Sequence, residues 1–188
     1  MLGASDPLPH RPRRIVVAGV SGTGKTTLAA RIGEVLGIEH VEIDALFHGE
    51  DWEPRPTFAA EVDAFTAREA WVTEWQYSSA RPLLAARADL MVWLDLPFRV
   101  TLWRLTGRTL RRRFSRQTLW NGNREAPLHT FLTDRGHVVR WAIATRHRLR
   151  TAVPDAATAH PGLVVVRLHT QREVDHWTAR LRDAQPGR

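Results

Sequence analysis

The chain has 188 residues, a formal net charge of +7 and 43% hydrophobic residues, which suits one domain with a sizeable core. It contains no cysteine, so disulfides, thiol catalysis and cysteine-held metals are excluded. No apolar run approaches the roughly 20 residues of a membrane span.

Residues 1–13 are Pro-rich and lack the apolar centre of a signal peptide. They predict a flexible lead-in to a single domain over 14–188, in a cytoplasmic protein. Arg14 to Ala18 read as a buried strand within 14–19, followed by a glycine loop and a helix over 25–36 with Leu28, Ile32, Val35 and Leu36 at helical spacing. The order then predicted is strand 40–43, helix 57–69, strand 71–75, helix 79–87, strand 90–95 and helix 98–106. An arginine-rich irregular stretch fills 107–127, followed by helix 129–150, a loop over 152–162, strand 163–168 and helix 171–183. Alternating strands and helices predict an α/β fold, a five-stranded parallel sheet with helices on both faces. Ile15-Val16-Val17 and Met91-Val92-Trp93-Leu94 are continuous apolar runs, as in strands buried on both sides. Ligands on such sheets sit at the carboxyl ends of strands. That directs attention to the loop 19–26, Asp44, Glu74 to Tyr77, Asp95, and His169 to Gln171.

Of the 27 Lys and Arg residues only Lys25 is a lysine. It closes Gly19-Val20-Ser21-Gly22-Thr23-Gly24-Lys25-Thr26, a G-x-x-x-x-G-K-T sequence. A loop of this kind wraps phosphates in backbone N–H groups, its Lys reaches the β/γ-phosphates and its Thr binds Mg²⁺. The helix that starts at the loop adds its dipole to the anion site. Gly19, Ser21, Gly22, Thr23, Gly24, Lys25, Thr26 and Thr27 are therefore the candidate ATP-binding residues, with Lys25 also catalytic.

Asp95 closes the apolar strand Val92-Trp93-Leu94, where a carboxylate beside a phosphate loop holds Mg²⁺ or its waters. Glu74 competes for that role from the end of Trp71-Val72-Thr73, on what should be an adjacent strand. Asp44, after Val41-Glu42-Ile43, is either an acceptor-facing carboxylate that takes a hydroxyl proton or a helix cap. Trp75, Gln76 and Tyr77 are candidates for stacking on and reading an acceptor, with core packing the alternative. From Arg99 to Arg150 there are thirteen arginines against two acids, Glu125 and Asp134. Arg104, Arg108, Arg111, Arg112, Arg113 and Arg116 cluster, and Arg124 follows. Guanidinium groups stabilise the charge of a moving phosphoryl group. A lid over 107–127 is the expectation, with Arg108 and Arg112 catalytic.

The sequence resembles the nucleoside-monophosphate kinase group in Gly19 to Thr26, in Leu94-Asp95-Leu96-Pro97 and in Arg104-Leu105-Thr106-Gly107-Arg108. That resemblance implies that Arg104 lies against the nucleotide base and Arg108 contacts phosphates. Along most of its length the chain is also similar to small adenylate-kinase-like P-loop proteins sometimes called DNA topology-modulation proteins. The segments that carry this are Ile43-Asp44-Ala45-Leu46-Phe47, Trp71 to Ser78, and Leu119-Trp120-Asn121-Gly122-Asn123-Arg124-Glu125. It departs where adenylate kinases have a Gly-Phe-Pro-Arg turn whose Arg holds the acceptor phosphate. Here Glu74-Trp75-Gln76-Tyr77 stands instead, and the nearest arginine is Arg81.

The combined expectation is an ATP- and Mg²⁺-dependent phosphotransferase. Its substrate side would be Asp44, Glu74, Trp75, Gln76, Tyr77, Arg81 and Arg124, and its metal residues Thr26 with Asp95 or Glu74. The acceptor is a nucleotide or another small hydroxyl compound. An ATP-hydrolysing regulatory protein and a nucleic-acid-associated protein stay open as alternatives. The charge also predicts weak, non-specific nucleic-acid binding, and the lack of a long apolar run predicts no membrane partner.

Overall fold

The computed structural model describes residues 1–104, 107 and 147–183. Strands β1 (Arg14–Gly19), β2 (Trp71–Glu74), β3 (Leu90–Leu94) and β4 (Val164–Leu168) form one parallel sheet in the order β2-β1-β3-β4. Helices α1 (Lys25–Leu36), α2 (Ile43–Phe47), α3 (Phe58–Thr66) and α4 (Arg81–Arg87) alternate with the first three strands. Residues 98–104 are helical, and helices Arg148–Ala159 and Gln171–Asp183 flank β4.

Period-2 alternation on apolar strands sends side chains to two buried faces. Val16, Ala18, Met91, Trp93 and Val165 meet Phe58, Val62 and Phe65 of α3, Leu84 of α4, and Leu149 and Val153 of the Arg148–Ala159 helix. On the other face Ile15, Val17, Val92 and Val166 meet Leu28 and Ile32 of α1, and Val174 and Trp177 of the last helix. The fold is thus α/β with helices on both faces.

Three elements differ from expectation. The sheet has four strands among the described residues, not five. The 40–43 segment makes a single bridge, His40 with Val72, through the Val41 amide on the Val72 carbonyl and the Val72 amide on the Glu39 carbonyl, both 2.9 Å. The Glu74 carboxylate then accepts the Ile43 amide at 3.2 Å, and the chain turns into α2 instead of continuing the ladder.

The lead-in, expected to be flexible, is packed. Leu2 pairs with Val166, its amide on the Val165 carbonyl (2.8 Å) and its carbonyl under the Arg167 amide (2.9 Å). Leu2, Ala4 and Leu8 cover the second core face, so the apolar residues of this segment outweigh its prolines.

The predicted loop over 152–162 is largely helix, since Arg148–Ala159 runs through Pro154. Leu149 and Val153 are buried four residues apart, and Ala152, Ala156 and Ala157 pack beside them. That apolar stripe holds the helix despite the proline. Among the described residues no helix is long and apolar enough to cross a membrane.

Candidate active site

β1 delivers the glycine loop at the carboxyl edge of the sheet, between β2 and β3. A Cβ on Gly19 would fall onto the Thr23 hydroxyl and come within 3.2 Å of Leu94 Cβ, so only glycine fits this close approach. Gly22 (φ 88°) and Gly24 (φ 92°) take the left-handed conformation that curls the loop back over α1. Gly24 is the N-terminal cap of α1, and nothing lies within 4 Å of where its Cβ would be. The Thr23 hydroxyl donates to the Val20 carbonyl at 2.8 Å. Lys25 is 8% exposed and its Nζ reaches the same carbonyl at 3.4 Å, which folds the lysine over the loop. A curled loop with an open mouth, one lysine and a helix N-terminus fits a polyphosphate. Thr26, half-buried, opens the first turn of α1 beside Lys25. Ser21 is half-buried in the loop and Thr27 is exposed on the helix.

On the β2 side the structure gathers three of the predicted substrate residues around one carboxylate. Asp44 Oδ1, on α2, accepts the Gln76 amide and the Tyr77 hydroxyl, each at 2.6 Å. The Tyr77 oxygen also lies 3.1 Å from His48 Nε2, and its ring stacks on Phe47 with centroids 3.8 Å apart. Tyr77 takes φ 56°, a left-handed conformation rare for a bulky residue and worth about 1–3 kcal/mol of strain. Burial, then the Asp44 charge and hydrogen bond, then the Glu74 charge push the Tyr77 phenol far above its ordinary value. Tyr77 therefore stays a donor to Asp44 at every neutral pH.

Glu74, 1% exposed, gives its two oxygens to His40 Nε2 (3.1 Å) and the Ile43 amide (3.2 Å). Burial pushes its carboxyl up, but the His40 hydrogen bond, the backbone amides and the His40 charge outweigh burial and leave it below its ordinary value. Trp75 belongs to the core, not to a stacking platform. It is 4% exposed, its Nε1 donates to the Arg81 carbonyl at 3.1 Å, and the Arg81 guanidinium lies 4.9 Å over its ring. Burial and then the Arg148 charge lower the Arg81 value.

On the β3 side Asp95 Oδ2 is held by Arg167, at 2.5 Å from Nη2 and 3.1 Å from Nε, with His169 Nδ1 at 3.7 Å. Arg167 also lies over Trp93 at 4.4 Å. These groups, with Val20 and Arg150, line a cavity of about 420 Å³ beside the glycine loop. Arg104 donates to Gln171 at 3.0 Å, which ties the 98–104 helix to the start of the Gln171–Asp183 helix. Arg108, Arg112 and Arg124, and with them the predicted lid, lie outside the described residues. No group of three or more His, Asp or Glu suited to a metal occurs among the described residues. Mg²⁺ at such a site takes most of its ligands from phosphates and water, with one or two from protein.

His40, His48 and Arg167 are not among the site residues expected from the sequence. His48 follows Asp44 by four, the spacing that puts two side chains on one helical face, and that signal was available.

No family model matches the chain, and no curated protein matches its sequence. Its fold does match solved structures. A gluconokinase from Sinorhizobium meliloti 1021 superposes with a TM-score of 0.53 at 24% identity, over 93% of this chain and 95% of that one. The shikimate kinase from Acinetobacter baumannii in complex with shikimate gives 0.51 at 17% identity, over 90% and 91%. The shikimate kinase from Bacteroides thetaiotaomicron gives 0.50 at 16% identity, over 92% and 97%. At these identities the likeness is one of fold.

Proposed function

We propose that this protein is an ATP- and Mg²⁺-dependent kinase that phosphorylates a hydroxyl group of a small, non-nucleotide molecule. The observation that carries this reading is the Asp44 carboxylate, aimed by Gln76 and Tyr77 at the carboxyl edge of the strand next to the phosphate loop. ATP would supply the transferable phosphoryl group, and Mg²⁺ would supply positive charge to offset that of the phosphates.

The loop amides of residues 20–24 and the Lys25 ammonium would hold the phosphates, and Thr26 the metal. Asp44 would take the proton of the acceptor hydroxyl as the hydroxyl oxygen forms the new bond to the γ-phosphorus and the bond from that phosphorus to the departing ADP breaks. Tyr77 and Gln76 hold the carboxylate in place, which saves reorganisation when the proton moves. Arg104, bonded to Gln171, is assigned to the nucleotide base on the strength of the resemblance. Arg108, Arg112 and Arg124 are assigned to stabilising the phosphoryl charge on the strength of the sequence.

Two points favour a non-nucleotide acceptor. The turn after β2 is Trp75-Gln76-Tyr77, and the arginine nearest to it in sequence, Arg81, is drawn back over Trp75. It offers no guanidinium in the place where adenylate kinases grip an acceptor phosphate. The solved structures of similar fold carry the names of kinases for shikimate and gluconate, both small hydroxy acids. The test is a panel of hydroxy acids, sugars and nucleoside monophosphates incubated with ATP and Mg²⁺ and read by product mass. A gain of one phosphoryl group on a hydroxy acid or sugar, lost in Lys25→Ala, supports the reading. Phosphorylation confined to nucleoside monophosphates overturns it.

A further inference from the structure

α2 has five residues, Ile43–Phe47, and no side chain caps it locally. One turn this short does not hold itself in water, because the first turn fixes several dihedrals for one hydrogen bond. Yet it carries Asp44 and Phe47, and the next residue is His48, the three groups that meet Tyr77. Its two ends are held from elsewhere. Arg55, paired with Glu61 at 2.7 Å, reaches the Ala45 and Leu46 carbonyls at 3.5 Å. At the other end stands Glu74, which accepts the first helical amide, that of Ile43. A carboxylate at the N-terminus and a guanidinium at the C-terminus both complement the helix dipole.

We propose that Glu74 is a positioning residue, whose carboxylate at the end of β2 caps α2 through the Ile43 amide and thereby sets where Asp44 stands. The proposal rests on the reading of Asp44 as the acceptor-facing group. Glu74 pairs in register with Val17 of β1, two residues before Gly19. The cap therefore ties the Asp44 helix to the strand that ends in the phosphate loop. His40 on the second oxygen keeps the buried carboxylate oriented. The length of the glutamate arm is what matters here, since an oxygen must reach across from β2 to α2.

Hydrogen exchange of the full-length protein tests this at residues 43–47. Glu74→Ala should speed exchange there about tenfold or more, as expected when a buried amide loses its acceptor. Glu74→Gln keeps the acceptor oxygen and the arm, and exchange should stay within about threefold of wild type. Glu74→Asp keeps the charge but shortens the arm, and should behave like Glu74→Ala. Affinity for MgADP, measured by calorimetry, should stay within about twofold of wild type in all three. With an acceptor from the panel, Glu74→Ala should lower kcat while leaving the KM for ATP unchanged. The proposal is overturned if exchange at 43–47 is unchanged in Glu74→Ala and Glu74→Asp, or if Glu74→Gln loses protection as they do. Loss of MgADP affinity in Glu74→Gln with α2 intact also overturns it, and makes Glu74 part of the metal site. Failure of the wild-type protein to bind MgADP would count against the phosphate-loop reading and leave the exchange result to decide on Glu74.

Discussion

Tyr77 joins three properties in one side chain: a left-handed backbone, a stacked ring and a hydroxyl on Asp44. The Tyr77→Phe variant separates them, because it keeps the stack on Phe47 and removes the hydroxyl. A hydrogen bond to a charged group contributes about 1.5–3 kcal/mol, so kcat should fall roughly 10- to 100-fold while ATP affinity holds. Steady-state kinetics on the identified acceptor checks this. Glu74 makes a prediction about acid. Its folded value lies below the ordinary one, so its contribution to stability is present above the unfolded value and is lost as pH falls through the folded value. The unfolded value is about 4.3. Thermal melts from about pH 6 down to about pH 3 should therefore fall more steeply for wild type than for Glu74→Gln, which has no carboxylate to protonate.

Among the elements, the phosphate loop was legible because its signal is local: glycines at fixed spacing between an apolar strand and an amphipathic helix. The pairing of Asp44 with Gln76 and Tyr77 was half legible. Each residue could be placed at a strand end, but the bond between them spans more than thirty positions and depends on α2 turning where a strand was expected. The cause of that turn, Glu74 on the Ile43 amide, is equally remote in sequence. Asp95 was expected to face metal, and nothing in its neighbourhood announced Arg167, which reaches it only through the β3–β4 register. The Arg148–Ala159 helix was misread because Pro154 and a run of small residues conceal the Leu149, Val153, Ala157 stripe. A proline in a helix interior costs about 3 kcal/mol by removing one hydrogen bond and crowding the preceding turn. Pro154→Ala should therefore raise stability by about 1–3 kcal/mol in urea unfolding. A loss of stability would mean that the helix does not run through residue 154.

At the scale of the whole molecule, a charge of +7 attracts polyanions without selecting among them. DNA binding should be sequence-indifferent and should fall steeply between about 50 and 200 mM salt, as counterion release requires. Tight binding of one defined sequence at the higher salt, in a fluorescence titration, would favour the nucleic-acid reading over the kinase. The sheet itself has both flanks covered, β2 by the His40 bridge and β4 by Leu2. The second cover has a consequence for handling the protein. A truncation that removes residues 1–12 would strip Leu2 from the Val165 carbonyl and the Arg167 amide, and uncover Trp177 and Leu181 beneath Leu8. An unpaired strand beside bare apolar surface is a template on which a second molecule can extend the ladder. Gel filtration of the shortened chain should show self-association beyond that of the full chain, so a purification strategy that trims this segment would create an oligomer of its own making.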